Sequence, residues 1–98
     1  MAIQYSGIDS LDETEKFKLI KISEREYPKI TIHLPDATLM LIIKKHSKTG
    51  NRHKYSLHAK VDNPTLKFRA ETFAWDISEA THKIFEKLHN EIKKKYED

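Results

Sequence analysis

From Thr38 to Glu71 the chain reads as strand segments, an apolar run at Leu39 to Ile43 and then apolar-polar alternation with a period of two, broken twice by turn formers, and few folds accommodate such a run. Leu39, Leu41 and Ile43 point one way, Met40, Ile42 and Lys44 the other. Ser47 to Asn51 (Ser-Lys-Thr-Gly-Asn) is a turn cluster, so Arg52 to Val61 should return antiparallel, with Tyr55, Leu57, Ala59 and Val61 inward and Lys54, Ser56, His58 and Lys60 outward. Asp62-Asn63-Pro64 makes the next turn, after which Leu66, Phe68 and Ala70 alternate with Lys67, Arg69 and Glu71. This spacing predicts a three-stranded meander with one apolar face, and that face has to be covered.

The flanking segments supply the cover. Ser10 precedes Glu13 by three residues, the spacing of a capping box, so a helix should open near Leu11. At about 100° per residue, Phe17, Leu19, Ile20, Tyr27, Ile30 and Leu34 fall on one broad side, and Lys18, Lys21, Arg25 and Lys29 form an all-basic stripe on the other. Pro28 predicts a kink or break near Tyr27, and Pro35-Asp36 the end of the helical region. A second helix should open at Asp76, with Glu79 at the third helical position. Its buried side reads Ile77, Ala80, Ile84, Phe85, Leu88 and Ile92, and its far side Lys83, Lys87, Asn90 and Lys94. Trp75 reads as a core or staple residue. Ala2 to Ile8 is a short edge strand stopped by Gly7.

The order is then β-α-β-β-β-α. The first two strands, joined through a helix, should lie parallel by a right-handed crossover. The expected fold is an α+β two-layer sandwich, a four-stranded mixed sheet with both helices on one face, forming a single domain over residues 1–98.

Charge divides the chain unevenly. Residues 1–43 carry five bases and seven acids, residues 44–69 eight bases and one acid, and residues 70–98 five and seven, so the net of +3 splits as −2, +7, −2. A basic block inside an otherwise acidic small protein is the footprint of a polyanion binder, nucleic acid being the commonest. On the meander's outward face Lys44, Lys54, Lys60, Lys67 and Arg69 gather, where like charges on neighbouring strands repel and a phosphate would relieve them. Lysines that protect an exposed sheet from edge pairing are the competing explanation.

Other classes are excluded or unsupported. With no Cys there is no disulfide framework, thiolate metal site or Cys nucleophile, and the composition suits a reducing, cytoplasmic setting. The longest apolar run, Leu39 to Ile43, is far short of the roughly 20 residues of a membrane span. His82, Glu86 and His89 share one helical side but make an incomplete metal site, and His53 and His58 have opposite strand parity. Two glycines build no phosphate loop, and no nucleophile elbow is present. The expectation is a non-enzyme without cofactor, metal, membrane or small-molecule substrate.

The segment Tyr55-Ser-Leu-His-Ala-Lys-Val61, the strand ending Ala70-Glu71, then Trp75-Asp76-Ile77-Ser-Glu-Ala80 leading into Lys87-Leu88-His-Asn-Glu-Ile92-Lys-Lys94, resembles the ribosome hibernation-promoting factor family, also called ribosome-associated inhibitor A. The resemblance covers roughly Lys44 to Tyr96. It implies a β-α-β-β-β-α domain that lodges in the small ribosomal subunit, in the channel used by messenger and transfer RNA, and silences translation without catalysis. It also implies ribosomal RNA contacts from basic side chains on both helices. Lys87 and Lys94 match that pattern, while Asn90 stands where the family often has a base. Lys83, Lys18, Lys21 and Arg25 are added by helical-wheel position, and Lys44, Arg52, Lys54, Lys60, Lys67 and Arg69 by the charge block. The family's long form carries a C-terminal dimerisation domain that this sequence lacks, so pairing of ribosomes through it is not expected. Two alternatives stay open: a free-standing double-stranded RNA-binding module and a basic protein-interaction module.

Overall fold

The computed structural model describes residues 3–47 and 53–97. Its elements are β1 (Ile3–Ser6), a single 3-10 turn (Ile8–Ser10), α1 (Glu13–His33), β2 (Thr38–Ser47), β3 (His53–Asp62), β4 (Lys67–Ala74) and α2 (Ile77–Glu97). The strands form one sheet in the order β1-β2-β3-β4. β1 runs parallel to β2 with Ile3 beside Leu39 and Tyr5 beside Leu41, whereas β2-β3 and β3-β4 are antiparallel. The α+β sandwich expected from the alternation is therefore the fold observed. The turn predicted over Ser47 to Asn51 falls largely outside the described residues.

Strand parity decides the layers. Leu39, Leu41, Ile43, Tyr55, Leu57, Ala59, Val61 and Ala74 are buried, while their alternating neighbours Met40, Ile42, Lys44, Lys54, His58 and Lys60 are not. Both helices thus cover the same face. They close it with Leu19, Ile22, Tyr27 and Ile30 from α1 and Ile77, Ala80, Ile84, Phe85, Leu88 and Ile92 from α2. Burial of these side chains, about 1.5–3 kcal/mol for each Leu, Ile or Phe among them, is the main term holding the layers together.

Several local expectations are corrected. The cap of α1 is Asp12, not Ser10: the Asp12 carboxylate accepts from the Glu15 amide and the Glu15 carboxylate accepts from the Asp12 amide. Ser10 instead donates to the Gly7 carbonyl inside the 3-10 turn. Two overlapping acid-and-hydroxyl spacings compete here, and the 3-10 turn consumes the first. Gly7 itself sits at φ +82°, and a Cβ there would stand 2.1 Å from the Ile43 carbonyl oxygen, so the position admits only glycine without rearrangement.

Helix α1 also runs on through Pro28 rather than breaking. The proline is exposed, as is Glu24 four residues before it, so the carbonyl left without a partner can turn to water. Its buried arc is Leu19, Ile22, Ser23, Tyr27 and Ile30. Phe17, expected on that arc, is 64% exposed because it lies roughly 140° from the arc's centre at 100° per residue. Ser23 takes the place of a larger residue, its hydroxyl donating to the Leu19 carbonyl at 2.7 Å. At the far end Tyr27 donates to the Ala37 carbonyl, and Asp36 at φ 67° turns the chain into β2.

Candidate nucleic-acid interface

The sheet's uncovered face is organised in cross-strand rows. One runs Gln4, Met40, Lys60, Arg69; the next Ser6, Ile42, His58, Glu71; the third Lys44, Ser56, Phe73; and His46 stands opposite Lys54. Lys60 and Arg69 are therefore direct partners across the β3-β4 ladder, with exposed Lys67 opposite Asp62 beyond them. Two like charges in one pair destabilise an antiparallel ladder unless an anion bridges them. One row on, the His58 Nδ1 stands 3.3 Å from a Glu71 carboxylate oxygen, which sets one acid within the basic surface.

Helix α2 extends this surface past the edge of β4. The Lys87 ammonium donates to the Glu71 carbonyl at 2.9 Å, so the helix stripe is tied to the outer edge of the sheet. Arg69, Glu71, Lys87, Asn90, Glu91 and Lys94 line one open groove between β4 and α2. Lys83 and Lys94 also pair within the helix, with Glu79 at 3.2 Å and Glu91 at 4.0 Å. All four residues are well exposed, and such pairs are worth little in water, so they yield readily to a phosphate.

The bases of α1 stand apart from that groove. Lys18, Lys21, Arg25 and Lys29 are exposed as the wheel predicts, but the stripe is not free of acids. Glu26 lies 3.6 Å from Arg25 Nε and 2.9 Å from Lys29 Nζ, and a second Glu26 oxygen is 3.1 Å from His89 Nε2 of α2. Burial pushes the Glu26 carboxyl up, yet the hydrogen bonds from Lys29 and His89 and their charges outweigh it and hold the group below the ordinary carboxylate range. His89 thus joins the helices and is not poised with His82 and Glu86. Among the described residues no group of three or more His, Asp or Glu is gathered as a metal would require.

The remaining bases of the charged block divide by parity. Lys44 and Lys54 reach the open face, where the Lys54 ammonium lies 4.1 Å from the Phe73 ring centre. Lys45 points to the covered side and bonds the Glu15 carboxylate at 2.9 Å, beside the Tyr55 hydroxyl that donates to the same group. It is a structural base, not a free one. Arg52 lies outside the described residues.

No protein-family model and no curated protein matches this sequence. Solved structures do. A ribosomal subunit interface protein from Coxiella burnetii superposes with a TM-score of 0.73 at 19% identity, over 100% of both chains. The N-terminal domain of Protein Y from Thermus thermophilus superposes with a TM-score of 0.61 at 16% identity, over 96% of this chain and 98% of that one. The chain has the fold of these two proteins. That is the architecture the resemblance to the hibernation-promoting factors implied, and the basic surface on it is read from this chain's own side chains.

Two residues of the surface escaped the sequence reading. Phe73 is 55% exposed, and Trp75, whose sequence position reads as core or staple, is 47% exposed and so not a core residue. Strand parity is the available signal for Phe73: Ala74 faces inward and is buried, so Phe73 before it faces the open side.

Proposed function

We propose that this protein is a ribosome-associated translation inhibitor of the hibernation type, which binds small-subunit ribosomal RNA in the channel for messenger and transfer RNA. It acts by occupying that surface, not by catalysing a reaction, and works in the cytoplasm. The observation that carries the reading is the continuity of Lys60, Arg69, Lys87 and Lys94 across β3, β4 and α2 on a fold shared, end to end, with a ribosomal subunit interface protein. Lys67 flanks this strip, and Lys83, Lys18, Lys21 and Arg25 offer further phosphate contacts from the helix layer.

Co-sedimentation with ribosomes and separated subunits at low and moderate salt, with duplex RNA as competitor, tests it. Saturable binding to the small subunit that survives the competitor is expected. Neutralising about five phosphates gives a log-log salt slope of about −3.5 to −4.5, and a slope near zero would overturn the electrostatic mechanism. Retention of duplex RNA without ribosome binding would favour the free-standing double-stranded RNA binder. Salt-sensitive binding to protein but not RNA would select the interaction module.

A further inference from the structure

The open sheet face has two chemically different ends. At the Lys60-Arg69 end the row Gln4, Met40, Lys60, Arg69 offers charge without an aromatic ring. At the other, the Phe73 ring is exposed in the row Lys44, Ser56, Phe73, and Lys54 lies against it. Trp75, just past the end of β4 in the bend before α2, exposes nearly half its surface. Among the described residues Phe73 and Trp75 are two of four large apolar side chains left exposed, and neither belongs to the buried core cluster.

Aromatic rings on a sheet surface, interleaved with lysines, have the chemistry of a platform for unpaired bases: the ring takes the base, and the ammonium groups take the phosphates on either side. We infer that the end of the sheet formed by Lys44, Lys54, Ser56 and Phe73, with Trp75 in the bend that follows β4, binds two or three unpaired nucleotides of single-stranded RNA by stacking. Lys54 covers the Phe73 ring in the free protein through a cation–π contact, which is weak at an exposed site. A base stacked on the ring more than replaces it, and the displaced ammonium gains a phosphate in exchange. The Ser56 hydroxyl, between Lys44 and Phe73, is placed to hydrogen-bond a base edge or a sugar. Duplex RNA keeps its base faces inside the helix and cannot use the site. The inference goes beyond ribosome docking, and its test contains no ribosome.

The decisive measurement is fluorescence anisotropy of a labelled rU10 oligonucleotide, run beside an abasic decamer with the same number of phosphates. Trp75, the single tryptophan of the chain, gives an internal readout through quenching. Phe73→Leu keeps the apolar bulk and removes the ring. It should weaken rU10 binding roughly 5- to 150-fold while leaving the melting temperature and the abasic affinity unchanged. Lys54→Gln should lower both affinities and reduce the salt slope by about one. Equal affinity for rU10 and the abasic decamer, or an rU10 affinity untouched by Phe73→Leu, would overturn the platform.

Discussion

Strand β3 belongs to two surfaces at once. Tyr55, Leu57, Ala59 and Val61 are buried under the helices, while Lys54, Ser56, His58 and Lys60, each one residue away, face solvent. On the covered side every substitution alters packing. On the open side the cross-strand neighbours include the like-charged pair Lys60-Arg69, which costs stability rather than adding to it. The protein keeps on one face what its fold needs and on the other what its fold would be better without. That asymmetry is the strongest physical reason to regard the open face as a binding surface.

The largest effect that tests the contrast is on the covered side. Leu57→Ala removes a fully buried side chain at the centre of the sheet and should cost about 2–5 kcal/mol. In a domain of this size each kcal/mol lowers the melting temperature by about 4–8 °C, so calorimetry should show a drop of at least that much. On the open side, Lys60→Glu with Arg69→Glu should leave the melting temperature within a few degrees. Ribosome affinity should nevertheless fall, with a salt slope smaller by about two. If both pairs of measurements moved together, the separation of the faces would be wrong.

A second contrast apportions binding between helix and sheet. Lys87→Glu with Lys94→Glu should abolish co-sedimentation if the α2 stripe leads, while Lys60→Glu with Lys67→Glu would then be mild. The opposite result moves the site onto the sheet. Of the α1 bases, Arg25 and Lys29 should matter less than either, because the largely buried Glu26 already partners them.

Strand parity made most of this architecture legible in the sequence: the meander, its inward residues and the outward Lys54, Lys60, Lys67 and Arg69 all follow from period two. The helix surfaces were less legible. Phe17 falls at the margin of the broad apolar side, and only packing against the sheet shows that the buried arc is shifted away from it, toward Ile22 and Ser23. Trp75 lies past the end of β4, where strand parity no longer assigns a face, and large aromatic side chains are mostly buried, so its exposure is not legible from pattern. What no pattern could show was the convergence of Arg69 on β4 with Lys87 and Lys94 on α2, since it depends on how the helix crosses the sheet edge.

The finest test lies in two adjacent lysines. Lys44 faces the open side, exposed, and Lys45 the covered side, bonded to Glu15. Lys45→Gln should cost about 1 kcal/mol, intermediate between an exposed and a buried pair, and leave RNA binding intact; Lys44→Gln should do the reverse. The acid limb of stability carries the same signature. Burial pushes the Glu15 carboxyl up, but the Tyr55 hydroxyl, the Asp12 amide and Lys45 hold it below the ordinary carboxylate value of 4.5. A carboxyl depressed in the folded state contributes stability that is fully present above its unfolded value and is lost as pH falls through the folded one. Glu15→Gln should therefore lower stability at neutral pH and flatten its decline below about pH 4.5, where the wild-type protein loses the charged partner. Lys44→Gln should leave that limb unchanged, because among the described residues the open-face lysine pairs with no carboxylate.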